Sequence, residues 1–186
     1  VLHGVIPTAQ GLVLFSKNQQ FLMFANEGIL TPATAIIRSI SNYEMDTNID
    51  PVDVGTNINF ISKTPSYTRI YGVTTRGSQD SPLIHDIGKI VSEWVPDTIT
   101  ALIASPQNSF VAMASSISDE IFFFRTHSDG QKDVMQAWYK WKVPGNVQAM
   151  VVQNDVFSLI IEAGGEYSII RGILNIIKDD EVVNTD

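Results

Sequence analysis

The chain has 186 residues, 44% hydrophobic and 17% charged, which is apolar enough to bury a core and too apolar for a disordered chain. Its formal charge of −8, from 20 acidic and 12 basic residues, argues against tight binding of nucleic acid, which requires a basic face. Without cysteine the chain forms no disulfide and no thiolate metal site, and its longest apolar runs are far too short to span a bilayer.

The first half of the chain is built from short apolar segments separated by polar turns. Lys17-Asn18-Gln19 lies between two such segments and predicts a hairpin. The stretch YTRIYGVT alternates with the two-residue period of a half-buried strand. These patterns predict strands at 11–16, 20–25, 33–41, 56–62 and 67–74.

One segment, residues 82–96, has a different period. Its apolar residues recur at the spacing of a helix: Ile84, Ile87, Val91 and Trp94. Pro96 would end such a helix, and Gly88 weakens it. We therefore predict one or two helical turns in this segment.

The second half has a regular rhythm, with strand starts roughly ten residues apart and turn signals between them. The predicted strands are 109–115, 120–127, 134–143, 147–153, 156–162 and 166–173. The fold class predicted is therefore all-β: an antiparallel meander, partly β-propeller-like or sandwich-like, with one short helix. Residues 1–178 are predicted to form a single β-rich domain, and the acidic tail, residues 179–186, is predicted to be disordered.

The histidines do not form a recognisable metal site. His3, His85 and His127 are widely separated, so a zinc ion would require distant partners. His85 stands beside Asp86, where capping of a short helix is the simpler role. The sequence predicts no metal or cofactor site at these residues.

A second metal possibility lies in the stretch DTNIDPVD. Asp46, Asn48 and Asp50 have the first three ligand spacings of a calcium-binding loop. The pattern then fails, because Pro51 replaces the essential glycine and Asn57 replaces the bidentate glutamate. A solvated turn is favoured over a calcium site.

Catalytic motifs are also missing. No nucleophile elbow, phosphate-binding loop or dinucleotide fingerprint occurs. Four carboxylates near predicted turns are candidates for a glycosidase pair, and no spacing selects two of them: Asp119, Glu120, Glu162 and Glu166. We therefore predict no catalytic residue and no enzyme activity.

Three large aromatic residues cluster in the stretch QAWYKWKV. On a strand, Trp138, Lys140 and Lys142 point to one face, whereas Tyr139 and Trp141 point to the other. An exposed Tyr139/Trp141 pair would suit a sugar-binding platform. Burial in a core is the simpler interpretation, with the lysine stems covering Trp138.

Taken in order, several segments resemble one protein family. They are GILTPATAIIRSISNYE, PVDVGTNINFIS, TRIYGVTTRGSQDS, HDIGKIVSEWVP, ALIASPQNS and QAWYKWKV. This series is similar to the tail nozzle proteins of short-tailed bacteriophages (podoviruses), also called tail tubular protein B. The resemblance runs from about Gly11 to Arg171. No single motif is specific, and the ordered series carries the resemblance.

The resemblance implies a set of structural family-motif residues: Asp80, Ser81, Asp86, Trp94, Trp138, Tyr139 and Trp141. Two features depart from the pattern. A bulkier or acidic residue is expected where Gly72 stands, and the turn at Ser118-Asp119 is long. Family members are several times longer than this chain, so we expect an internal fragment of their β-rich, propeller-like portion.

The implied function is mechanical. In the family, six copies form a ring below the tail's adaptor ring and near the tail fibres, and the phage genome passes through the channel. The expectation is a virion protein assembled in the bacterial cytoplasm, with transient passage of DNA, no membrane partner and no cofactor. Two alternatives are a carbohydrate-binding or glycan-hydrolysing β-domain and an unrelated β-propeller interaction module.

Overall fold

A computed structural model describes residues 1–26, 29–55, 57–64, 68–74, 82–128, 133–178 and 181–184. The predicted all-β class is confirmed, because the described residues form antiparallel sheets in a sandwich-like fold and none of these sheets closes into a barrel. The chain divides into two compact units, residues 1–97 and 98–186. No helix in the described part of the chain is long and apolar enough to span a membrane.

The first unit contains two four-stranded meanders, in the orders β1-β2-β3-β4 and β5-β6-β7-β8. Their strands are β1 Leu2–Thr8, β2 Gly11–Ser16, β3 Gln20–Ala25, β4 Ala35–Ser41, β5 Val52–Asp53, β6 Asn57–Lys63, β7 Thr68–Thr74 and β8 Leu83–Asp86. Alternating apolar residues of both sheets meet in one buried cluster, as two-residue periodicity requires. The cluster consists of Val13, Phe15, Leu22, Met45, Ile58, Phe60, Tyr71 and Val73.

The second unit contains a four-stranded meander of β9 to β12, a three-stranded meander of β13 to β15 and a pair formed by β16 and β17. The strands are β9 Ala101–Ser105, β10 Phe110–Ala114, β11 Glu120–Ser128, β12 Asp133–Lys142, β13 Asn146–Gln153, β14 Val156–Ala163, β15 Glu166–Ile173, β16 Asn175–Lys178 and β17 Glu181–Asn184. The two larger sheets share the buried core of this unit: Phe110, Ala112, Ala114, Ile121, Phe123, Val147, Met150, Phe157, Leu159 and Ile161.

The helix predicted in residues 82–96 is largely wrong. Leu83–Asp86 forms β8, which pairs with β7, and only Lys89–Val91 forms a single 3₁₀ turn. Ile87 is buried, and its backbone N–H donates to the carbonyl of Ile70 at 3.0 Å. The apolar spacing therefore reflects a strand followed by a tight turn, and not one helical face.

The C-terminal segment, predicted to be disordered, contains a short strand. Glu181–Asn184, within the segment predicted to be disordered, forms β17 and pairs with β16. Each of the two units has a buried cluster of its own. The prediction that residues 1–178 form one domain stays a prediction.

Candidate functional site

The aromatic strand β12 contributes to the core of the second unit. The ring of Tyr139 stacks on that of Phe123, with centroids 4.9 Å apart and planes 3° apart. Trp141 packs against Phe123 at 4.5 Å and meets Phe157 edge-on at 5.8 Å. The predicted assignment of Tyr139 and Trp141 to the core face is confirmed, because both are partly buried against the apolar cluster.

On the opposite face of β12, Trp138 packs on Phe124 with ring centroids 4.9 Å apart. Its lysine neighbours are held by carboxylates of the adjoining strand and turn. Lys140 Nζ lies 2.8 Å from Glu120 Oε1, and Lys142 Nζ lies 3.2 Å from Asp119 Oδ2. The Trp138 face of β12 therefore carries two surface ion pairs.

Three of the four candidate carboxylates have described contacts, and none of these contacts is with another carboxylate. Asp119 and Glu120 contact lysines, as described, and Glu162 Oε1 accepts the backbone N–H of Gly165 at 2.8 Å. Glu162 thus stabilises the β14–β15 turn, whose Gly164 and Gly165 have positive φ. Within the described ranges, no group of three His, Asp or Glu side chains is placed to hold a metal ion.

The loop weighed as a calcium site is organised by its own hydrogen bonds. Asp46 Oδ1 accepts both the backbone N–H and the side-chain amide of Asn48, each at 3.0 Å. The backbone N–H of Asp46 donates to the carbonyl of Ile61 at 2.8 Å, which ties the loop to β6. These contacts describe a polar turn anchored to the sheet.

The most organised polar group of the first unit lies where β8 leaves the sheet. The Asp86 side chain is only 13% exposed, and its Oδ2 lies 3.3 Å from Arg69 Nη1 on the neighbouring strand. Its Oδ1 accepts the backbone N–H of Gly88 at 3.0 Å. One carboxylate therefore joins β7, β8 and the start of the 3₁₀ turn, and we call Arg69, Asp86 and Gly88 the β8 corner.

Tyr71 lies beside the β8 corner and extends it into an aromatic stack. Its ring stacks on Tyr43 at 4.2 Å and on Phe60 at 5.4 Å. Burial raises the pKa of Tyr71, and the hydrogen bond and positive charge of Arg69 oppose that rise. The neutral phenol is therefore favoured in the folded chain.

An open groove of about 370 Å³ borders the β8 corner. Its walls include Thr68, Arg69, Lys89, Glu93 and Val95. Arg69 is already paired with Asp86, and the hydroxyl of Thr68 donates to the carbonyl of Asp97 at 2.8 Å. The groove thus lies against side chains that stabilise the fold.

Known proteins provide the decisive comparison. The whole of residues 1–182 matches the family described as bacteriophage nozzle protein. This chain belongs to the bacteriophage nozzle protein family. It is also 21% identical over 183 residues to the tail tubular protein gp12 of Escherichia phage T7, an alignment that covers 96% of this chain and 23% of that protein. The chain therefore spans about a quarter of the length of this relative, and the family predicted from the ordered segments is confirmed.

The family-motif residues lie in separate places in the structure. Asp86 forms the β8 corner, and Trp94 follows the 3₁₀ turn, where its backbone N–H donates to Val91 at 2.8 Å. The three aromatic residues of β12 lie in the second unit. Asp80 and Ser81 lie outside the described residues.

The departure at Gly72 has a local structural basis. A Cβ added there would lie 3.1 Å from Ile87 Cγ2 and 3.3 Å from His85 Cε1. Gly72 is directly opposite His85 in the β7–β8 pair. Both distances are shorter than ordinary contacts, so a larger residue at this position would require the side chains of Ile87 and His85 to shift by a few tenths of an ångström.

Sequence reasoning missed Arg69, although it selected Asp86. The sequence does indicate that Arg69 and Tyr71 lie on one face of β7, because residues two apart on a strand point to the same side. Tyr71 is directly opposite Asp86, so Arg69 and Asp86 are diagonal neighbours. Finding that pair requires the register of β7 against β8, which the sequence alone does not specify.

Proposed function

We propose that this chain is part of a structural subunit of a phage tail nozzle, through which the genome leaves the particle. The observation that supports this proposal is the family match, which spans residues 1–182 and so includes both compact units. The similarity to a tail tubular protein of phage T7 supports the same role.

In the proposed assembly, the full-length subunit forms a ring of six copies next to the tail's adaptor ring and fibres. The ring belongs to the virion and is assembled in the host cytoplasm. The acidic balance of the chain, −8 at pH 7, supports a role beside passing DNA, because like charges repel phosphates and prevent strong binding.

The proposed role requires no chemistry from side chains. The carboxylates with described contacts hold strands and turns: Asp86 at the β8 corner, Glu162 at a hairpin and Asp46 in its loop. These contacts support rigidity under load. A sugar-binding role is not favoured, because Tyr139 and Trp141 pack against the core and do not present an open pair of rings.

The direct test uses intact particles of the phage that encodes the chain. An antibody raised against residues 1–186 is expected to label the distal tail of purified virions in immunogold electron microscopy. Labelling of the capsid, or virions whose mass spectra contain no peptide of this chain, would overturn the proposal.

The ring needs a separate test with the full-length protein. Purified together with its adaptor ring, it is expected to form six-fold particles in negative-stain electron microscopy. A full-length protein that stays monomeric in the presence of that adaptor would overturn the nozzle ring.

A further inference from the structure

A short loop whose ends lie close together follows β8. Residues 88–95 leave the sheet at Gly88 and return to it at Val95, and a Cβ built on Gly88 would lie 3.4 Å from Val95 Cγ2 and 3.0 Å from Ile70 Cγ2. The two ends therefore meet beside the same residue of β7. A compact surface loop of this kind is a structural unit of its own and is more mobile than the strands next to it. We call residues 88–95 the β8 flap.

Burial in the β8 flap is concentrated at its ends. Ile87, which precedes the flap, and Val95, which ends it, are each 7% exposed. Between Gly88 and Val95, five of the six residues are exposed: Lys89, Ile90, Ser92, Glu93 and Trp94. The middle of the flap therefore contributes little to the core, and its displacement costs little apolar burial.

Hydrogen bonds inside the β8 flap maintain its shape. The backbone N–H of Val91 donates to the carbonyl of Gly88 at 3.0 Å, and that of Trp94 donates to the carbonyl of Val91 at 2.8 Å. Both bonds join residues of the flap itself, so they persist when the flap moves as one body. The flap can therefore change its position without the loss of these two bonds.

Open space lies between the β8 flap and β7. The groove of about 370 Å³ at the β8 corner is lined by flap residues, among them Lys89, Ser92 and Glu93, and by Thr68 and Arg69 of β7. A packed interior resists displacement because every side chain is enclosed by others. The groove removes that resistance on one side of the flap and leaves it room to move.

A buried hydroxyl fastens the chain just beyond the β8 flap. Thr68 of β7 is 5% exposed, and its Oγ1 donates to the carbonyl of Asp97 at 2.8 Å. Asp97 is the last residue of the first compact unit. One hydrogen bond stabilises a closed state only modestly, so thermal motion can break and remake this bond. We call the bond between Thr68 and Asp97 the Thr68 latch.

The β8 flap lies beside the part of β7 that precedes its pairing with β8. That pairing covers residues 71–74 of β7. The carbonyl of Ile70 then accepts the backbone N–H of Ile87 at 3.0 Å, and alternate residues of a strand direct their backbone groups to the same side. The backbone groups of Thr68 therefore face the side on which the flap lies. A loop over a strand edge protects that edge from pairing with other chains.

We propose that the β8 flap opens and closes as one body while β7 and β8 remain paired, and that the Thr68 latch holds it closed. Opening uncovers the edge of β7 at Thr68 and Ile70. It also frees Asp97, from which the chain continues into the second unit. The motion involves no contact of the proposed nozzle ring, so either proposal can fail without the other.

Opening is tested by thiol labelling of the folded protein, since the 186-residue chain has no cysteine of its own. The thiol of Val95→Cys is buried in the closed flap and reacts when the flap opens. The thiol of Val73→Cys, at a position of β7 that is 0% exposed, reacts only when the sheet unfolds. We expect the labelling rate of Val95→Cys to change little with low concentrations of urea and that of Val73→Cys to rise steeply.

The latch is tested by adding Thr68→Val, which removes the hydroxyl and should raise the labelling rate of Val95→Cys about fivefold. The matched control is Thr8→Val, because the Thr8 hydroxyl also donates to a backbone carbonyl of the first unit, that of Gly11 at 3.0 Å. It should leave the rate unchanged.

A second measurement needs no introduced cysteine. Cleavage by trypsin after Lys89 should accelerate by a similar factor with Thr68→Val and not with Thr8→Val. The same urea dependence for the two thiols, equal effects of the two threonine variants, or a Val95→Cys thiol as reactive as in the denatured chain would overturn the proposal.

Discussion

Replacement of Phe123 by alanine is expected to be the most destabilising single change in the second unit. Phe123 is 0% exposed, and its ring lies within 5.7 Å of four others: Phe110, Tyr139, Trp141 and Phe157. Removal of a buried phenylalanine ring costs about 3–5 kcal/mol, because apolar contacts are lost and a cavity remains. Aromatic pairs add about 0.5–1.5 kcal/mol each beyond burial, so we expect the upper half of that range, about 4–5 kcal/mol.

The free energy of unfolding is measured from urea titrations followed by tryptophan fluorescence. Trp138 and Trp141 lie on β12 and report directly on this unit. Phe123→Leu keeps most of the apolar volume and loses the ring, so it should cost about 1–2 kcal/mol. The difference between the two variants then separates the cavity from the ring contacts.

The control is Ile117→Ala, since Ile117 is an exposed turn residue of the same unit, and its effect should stay within about 0.5 kcal/mol. A cost below about 2 kcal/mol for Phe123→Ala would refute the reasoning, because an unpacked or solvent-facing side chain gives such a value. It would mean that β11 presents its other face to the core.

Three further predictions concern the β8 corner, its tyrosine and the two units. Asp86→Ala should lower the free energy of unfolding in urea by about 2 kcal/mol, because Arg69 and the Gly88 amide both lose their acceptor. Asp86→Asn keeps an oxygen for the Gly88 amide and should cost about 1 kcal/mol. Equal costs for the two variants would place the whole effect in the ion pair. The raised pKa of Tyr71 means that the unfolded chain releases this proton first, so stability falls as pH rises above about 10, and Tyr71→Phe should lessen that fall in titrations between pH 9 and 11. If residues 1–178 form one domain, scanning calorimetry should show one unfolding transition, and two transitions would show that the units unfold independently.

The strands of the second half were predictable because their signals are local. The predicted strand at 109–115 corresponds to Phe110–Ala114, and the strand predicted at 166–173 has the bounds Glu166–Ile173. Two-residue alternation and the turns between strands suffice to locate such elements. The faces of β12 follow from the same alternation, which is why the core position of Tyr139 and Trp141 could be predicted.

The missed strands depend on partners that lie elsewhere in the chain. The sequence analysis did not predict Leu2–Thr8 or Ala101–Ser105, which are strands because β2 and β10 offer them an edge. Leu83–Asp86 was predicted as helix because its apolar residues are spaced three and four positions apart. Its pairing with β7 overrides that local pattern. The Arg69–Asp86 contact required that pairing too, so the β8 corner could not be derived from spacing alone.

The distribution of burial agrees with the demands on a tail component. All five residues of β10 are buried, as are six of the seven in β6, so these central strands are covered on both faces. Seven of the eight residues of β15 are exposed, and β4 is exposed over Ile36 to Ser39. Strands buried on both faces resist shear because every side chain is packed, whereas exposed edges remain able to bind other chains. A chain with packed central strands and exposed edges is suited to be one part of a larger assembly, as the proposed nozzle requires.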